Sequence, residues 1–324
     1  MHTVLSAVAH AAASSGPHHL TWPESIVIGL LQGVSELFPV SSLGHSVLIP
    51  ALVGGSWARD LDVSAPESPY LAFIVGLHVA TAIALIVYFW RDWVRIVGGL
   101  LSSVRHREIR TPEQRLGWLL IVGTVPVGLV GLVFEHTFRV RFGTPTSAAL
   151  FLTGNGVLLL AAEQLRRRAA DPPVLAVDGP TADTPHDQAR DVAVDHRLSA
   201  LSWLTVFGLG AAQIAALFAG LSRSGAVISA GLFKGLSHED AARLSFLLAT
   251  PVILAAGALK LPDLTGPLGK GIGGQVLVGS ILSGVGAYVA VRFLDRYFQT
   301  RSLRPFGVYC LLAGIACSIR FIAF

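Results

Sequence analysis

The 324-residue chain has little charge: Asp, Glu, Lys and Arg make up 14% of it, against 52% hydrophobic residues. Soluble domains carry about 25% charged residues. That deficit, with a mean hydropathy of +0.63, excludes an ordinary soluble domain and points to an integral membrane protein. Lys and Arg are missing from the first twenty positions, so no secretory signal with a charged n-region is expected. Cysteine is scarce as well. Cys310 and Cys317 lie two helical turns apart in an apolar run, which fits neither a metal knuckle nor a disulfide, and both read as packing residues. The net charge of +4 is concentrated in loops, where it bears on topology rather than on nucleic acid.

What is present is a set of apolar runs. A transmembrane helix needs about twenty mostly apolar residues, and residues 70–90, 117–134, 147–162, 244–261, 274–293 and 306–324 qualify. Two further apolar stretches are interrupted. Residues 25–52 are broken by Pro39 and a serine cluster, and residues 201–236 by "AGLSRSG" at 219–225. Arginines crowd three connections: 91–115, 166–168 and 292–304. Cytoplasmic loops carry the positive excess, so all three are placed in the cytoplasm. Residues 171–196, rich in Pro, Asp and Ala, read as a flexible cytoplasmic linker.

Those connections share one side only if each broken segment enters and leaves on the same face. The expected fold is therefore an all-α polytopic membrane protein built as an inverted repeat. Each half holds one re-entrant broken helix pair plus three transmembrane helices. The first repeat covers residues 22–165, the linker 166–199 and the second repeat 200–324. Inverted repeats whose broken helices meet near mid-membrane are a known transporter plan. "QGVSELFPVSSLGHS" from Gln32 and "QIAALFAGLSRSGAV" from Gln213 align without gaps at an offset of 181 residues, sharing Gln, Ser and Gly at equal positions. The likeness falls at the break of both interrupted segments.

Irregular backbone at membrane depth is tolerated only where protein or a wet cavity satisfies it, so the two breaks imply a polar pocket. Ionisable residues there are functional candidates: Glu36 and His45 from the first break, Arg223 from the second. Gln32 and Glu36, four apart, share a helix face that Pro39 terminates. Ser41, Ser42, Ser222, Ser224 and Gly225 surround the helix starts, where hydroxyl and N–H groups make an anion site that an Arg completes. Glu, Ser, His and Arg supply the base, nucleophile, proton donor and charge clamp of phosphoryl chemistry. Plainer readings stand beside this one. The serines also serve close helix packing, Glu36 and Arg223 could form a structural ion pair, and His78 inside the first clean span could be a packing hydrogen-bonder. "GTVP" at 123–126 and "ATP" at 249–251 read as kinks at equivalent places.

"QGVSELFPVSSLGH" and "AGLSRSGAVIS" resemble the paired signatures of the undecaprenyl-diphosphatase family, also called the bacitracin-resistance protein family. "YFWRDW", "GTVP" and "RLSFLLATPVILAAG" extend the likeness over essentially the whole chain from residue 22. The resemblance implies hydrolysis of undecaprenyl diphosphate to undecaprenyl phosphate, recycling the lipid carrier for peptidoglycan synthesis and cell shape and conferring bacitracin resistance. It implies a bacterial plasma-membrane enzyme whose pocket opens to the outer face, with a polyprenyl diphosphate substrate, membrane lipids around it, no nucleic acid, and room for a homodimer. By the same resemblance Glu36, Ser42, His45 and Arg223 are catalytic. Gln32, Ser41, Ser222, Ser224, Gly225 and His78 are assigned to substrate binding. A divalent cation, Mg²⁺ or Ca²⁺, falls to Glu36 and Gln32.

Some positions depart from the family pattern. Gln32 stands where many members have Glu, Ala219 where Pro is usual, Leu43 for Thr or Ser, and Val227 for Thr. In the expected reaction Ser42 attacks the terminal phosphorus while Glu36 or His45 takes its proton, with direct attack by water as the open alternative. The rival class is a carrier that moves polyprenyl phosphate between leaflets without cleaving it. A purely structural scaffold would leave Glu36 and Arg223 in the membrane without a reason.

Overall fold

The computed structural model describes residues 20–63, 69–168, 186–266 and 271–323. Thirteen α-helices and one 3₁₀ turn make up the described regular structure. Helix α1 (Trp22–Leu37) starts at a capping box, Thr21 with Glu24, and stops where Phe38 turns extended ahead of Pro39. Helix α2 (Ser42–Val53) completes the first broken element, and short α3 (Gly55–Asp60) follows. Then come α4 (Pro69–Tyr88), α5 (Trp90–His106), α6 (Pro112–Phe142) and α7 (Pro145–Arg168). Helix α8 (His186–Ser199) leads at a bend of 101° into the second broken element. That element is α9 (Trp203–Ala211), the 3₁₀ turn Ala212–Leu217 and α10 (Arg223–Phe233). Helices α11 (His238–Thr265), α12 (Gly273–Thr300) and α13 (Arg304–Ala323) close the chain.

Six helices, α4, α6, α7, α11, α12 and α13, are long and apolar enough to cross a membrane. They coincide with the six clean spans read from the sequence, and both interrupted stretches are broken where expected. The molecule is a multi-pass membrane protein. Its outer surface agrees: Leu132, Val133 and Leu204 stand 66%, 69% and 81% exposed, as side chains facing lipid would. Packing crosses between the halves reciprocally, α1 lying along α12 and α9 along α6. The α1–α12 contact is backbone-close, since a Cβ on Gly33 would come within 2.2 Å of the Ser283 carbonyl oxygen. Small residues at such a crossing are how membrane helices approach without a hydrophobic driving force.

Two expectations about connections change. The arginine-rich segment after the first span is a helix, α5, whose Trp90, Val94, Val97, Leu101 and Val104 form an exposed apolar stripe. That pattern belongs to a helix lying in the membrane interface. Of the linker, residues 171–185 lie outside the described residues, while 186–199 form α8 rather than a flexible coil.

Helix α8 is held by charge. Arg243, 2% exposed, lies between Asp195 at 2.7 Å, Asp92 at 3.2 Å and Asp191 at 3.2 Å. Arg95 reaches Asp92 and, at 3.0 Å, Asp195. Arg190 meets Asp295 at 2.9 Å, and His238 meets Glu163 at 2.8 Å. These pairs gather the ends of α7 and α12 and the starts of α5 and α11 at one end of the bundle, where the Tyr88 hydroxyl at the end of α4 also donates to Asp295. All three arginine-rich connections therefore lie on one side. Pro126 and Pro251 sit inside continuous helices, with Thr124 and Thr250 hydroxyls donating to the carbonyls four residues back.

Candidate active site

The two breaks meet through their helix starts. Ser41 takes φ 69°, a left-handed value that points its hydroxyl at two backbone amides. It accepts from Gly44 N at 3.2 Å, capping α2, and from Gly220 N at 3.2 Å in the other break. Ser222 repeats the cap on α10, accepting from Gly225 N at 3.1 Å. The aligned Ser and Gly of the two motifs thus carry one function, a serine cap onto the amide three residues on. Ser222 and Ser224 both donate to the Phe38 carbonyl, at 3.4 and 3.1 Å. Asn155 from α7 bridges the pair, donating to the Pro39 carbonyl at 3.0 Å and accepting from Ser222 N at 3.1 Å. A Cβ on Gly44 would lie 2.8 Å from the Gly220 Cα, so the breaks touch at backbone distance.

Above this seam sits Glu36, buried. Arg223 Nη2 donates to its Oε1 at 2.8 Å. Its Oε2 accepts the Ser42 hydroxyl and, at 2.9 Å, the Gln32 amide. His78 Nε2 lies 3.5 Å from that oxygen and 3.2 Å from Gln32 Nε2, while its Nδ1 is 2.9 Å from the Ile74 carbonyl. A carbonyl acceptor at Nδ1 calls for an N–H on that nitrogen, and the Gln32 amide donates to Glu36. Arg223 Nη1 is buried with no partner among the described residues.

These groups line a cavity of about 550 Å³. Glu36, Ser42, His78, Gln213 and Arg223 supply its polar depth, and Ile74, Val75, Val127 and Val252 its apolar walls. Glu135, Arg139 and Lys260 lie toward the end of the bundle remote from the arginine-rich connections. Leu43 and Ala219, two of the departures noted above, also face this cavity, while Val227 packs into an apolar cluster.

Glu36, Ser42, Arg223, Gln32 and His78 are thus together. His45 is not with them. Its Nδ1 lies 2.6 Å from the Ser41 carbonyl and its Nε2 2.7 Å from the Tyr309 hydroxyl, with the two rings stacked. Neither nitrogen faces the cavity lining. The position expected for His45 beside the nucleophile is filled by His78, from a different helix. Ser41 and Ser222 line the cavity but are occupied as caps, and Ser224 and Gly225 support the seam behind it. Asn155 escaped the sequence reading, and Gln213 entered it only as the counterpart of Gln32, not as a lining residue. Asn155 had a signal, a lone amide inside "FLTGNGVLLL", where an intramembrane polar group asks for a partner. Cys310 and Cys317 are free thiols, and Cys310 is buried against Asn155 and Pro39.

The pair expected to hold a metal does not fit a resident divalent ion. Among the described residues no three His, Cys, Asp or Glu side chains converge as a metal site. Glu36 is the one carboxylate at the depth of the cavity, and both its oxygens accept from the chain's own donors beside a guanidinium. Gln32 turns its amide nitrogen, not its carbonyl, toward Glu36.

Comparison with known proteins identifies the family. The family described as Bacitracin resistance protein BacA matches residues 25–316. An undecaprenyl-diphosphatase from Mycolicibacterium paratuberculosis is 64% identical over 296 residues, covering 91% of this chain and 96% of the relative. One from Mycobacterium avium is 63% identical over 295 residues, covering 91% and 95%. Undecaprenyl-diphosphatase 2 of Frankia alni is 50% identical over 339 residues, covering 94% and 99%. With both breaks, the carboxylate–serine–arginine cluster and near full-length likeness in hand, the chain belongs to the BacA bacitracin resistance protein family.

Proposed function

We propose that the chain hydrolyses undecaprenyl diphosphate to undecaprenyl phosphate and inorganic phosphate, and thereby returns the lipid carrier to cell-wall synthesis. One observation carries this reading. Glu36 receives both the Ser42 hydroxyl and Arg223, and the three line a cavity of about 550 Å³, large enough for a diphosphate head. The relatives' names as undecaprenyl-diphosphatases support the substrate class. The arginine-rich end faces the cytoplasm on the charge rule, so the cavity opens to the outer leaflet and the prenyl chain stays in lipid. The inverted repeat belongs to the same reading, supported by the reciprocal packing of α1 on α12 and α9 on α6.

Arg223 grips the terminal phosphoryl oxygens. Ser42 Oγ attacks that phosphorus in line while its proton passes to Glu36, to which it is already hydrogen-bonded. The P–O bond to the bridging oxygen breaks and the prenyl phosphate leaves. Water then attacks the phosphoserine phosphorus, its proton going to His78 while Glu36 returns its own to the departing Ser42 oxygen, and inorganic phosphate is released. Phosphoryl transfer depends mostly on such positioning and charge stabilisation. Mg²⁺ or Ca²⁺, if it arrives with the substrate, would supply charge neutralisation.

Purified protein given farnesyl diphosphate with Mg²⁺ or Ca²⁺ is expected to release phosphate. Ser42→Ala and Arg223→Ala should each lower kcat by about 10³-fold. Near-normal release by Ser42→Ala would transfer the attack to water. No release by the wild type would leave the carrier reading, in which the same pocket binds polyprenyl phosphate without cutting it.

A further inference from the structure

A second polar recess lies at the other end of the molecule. Arg292, Arg296 and Arg301 line a groove of about 820 Å³ where α12 runs into α13. Several buried or half-buried arginines at this end are answered by acid: Arg95, Arg190, Arg197 and Arg243 all meet carboxylates. The three in the groove meet none among the described residues, and no carboxylate lines it. Asp295, within the same turn, is turned away to Arg190 and the Tyr88 hydroxyl.

The rest of the groove is apolar and aromatic, with Val289, Phe293 and Tyr297. From Val289 a row of exposed apolar side chains, Val285, Ile281 and Leu277, continues down α12 at four-residue steps. A soluble anion would use the arginines and ignore that row. A phospholipid uses both: its phosphate sits at the level of the helix end, and one acyl chain lies along the apolar row. Arginine is suited to the first task because its planar fork binds phosphate oxygens in pairs. Basic pockets at the cytoplasmic ends of membrane helices are where anionic headgroups gather.

We propose that this groove is a binding site for an anionic glycerophospholipid of the leaflet at the arginine-rich end. The site is separate from the catalytic cavity, and the proposal does not depend on the reaction assigned there.

The test is lipid retention by the full-length protein, read by native mass spectrometry after exchange into detergent containing equal phosphatidylglycerol and phosphatidylcholine. The wild type should keep phosphatidylglycerol with a preference of at least about tenfold. Arg292→Gln with Arg296→Gln should lose that preference, and Arg301→Gln alone should lose part of it. Arg304→Gln, exposed on α13 outside the groove, should leave it intact, and thermal melting reports that each variant is folded. An undiminished preference in the double variant, or an equal loss in Arg304→Gln, overturns the site. Displacement of the lipid by millimolar inorganic phosphate also overturns it, because the groove would then bind a free anion.

Discussion

Glu36 organises the pocket by being a charge where charge is expensive. A buried carboxylate at membrane depth is held only if opposite charge and hydrogen bonds surround it, and Arg223, Ser42 and Gln32 do so. Removing it therefore does two things. Glu36→Ala strands the Arg223 guanidinium and should destabilise the protein by about 3–5 kcal/mol as well as abolish turnover. Ser42→Ala keeps the ion pair, so its loss of activity should come with an unchanged melting temperature. Gln32→Glu is the informative opposite change. It sets a second carboxylate against the first, and calorimetry without substrate should show Ca²⁺ binding by the variant and none by the wild type.

The two histidines separate in the same way. His78→Ala should lower kcat by about 10² with stability retained. His45→Ala should lower the melting temperature and leave kcat within about threefold, because its partners are a backbone carbonyl and Tyr309. A kcat loss confined to His45→Ala would reverse the two roles. At this scale the sequence was legible where a residue's partners lie within a turn or two. Gln32 and Glu36 follow from helix period and the Pro39 break, while the family resemblance singles Ser42 out of the serine cluster. His45 was misplaced because its deciding partner is 264 positions away, and His78 was undervalued because its deciding partner lies on another helix.

Each broken element is a helix stopped short, then restarted by a serine cap. Nothing in either element alone would keep its irregular backbone at membrane depth; the other element does. Asn155 shows how tight the arrangement is. It touches neither Glu36 nor Ser42, yet its side chain answers the Pro39 carbonyl and the Ser222 amide. Asn155→Ala leaves both buried and unpaired, which should cost about 2–4 kcal/mol of stability and lower kcat, as read by thermal melting beside phosphate release. The membrane helices were readable because a bilayer imposes length and apolarity together. Helices α5 and α8 were not. The apolar stripe of α5 is dispersed among arginines, and α8 buries charge against charge, a pattern that hydrophobic periodicity does not register.

Across the whole molecule, polarity is divided between two depths. Ion pairs close the arginine-rich end around Arg243 and bind α8 to α5, α11 and, through Arg190, α12, while the middle holds the Glu36 pocket. Arg243→Met should remove the partner of three aspartates at once and destabilise by about 3–5 kcal/mol, with lower melting but normal turnover in the fraction still folded. Breaking the exposed Arg110–Glu108 pair should change nothing measurable.

The Ser41 hydroxyl, accepting one amide from each break, has a consequence for how the molecule can move. A carrier works as a turnstile: its halves must part to show the pocket first to one side and then to the other. Parting these halves would cut Ser41 from Gly220, Phe38 from Ser222 and Ser224, and Asn155 from one of its two breaks, stranding each polar group in a dry interior. The seam behaves as an anvil. Under the proposed hydrolysis the substrate comes to it and is struck there, and the product leaves by the side it entered.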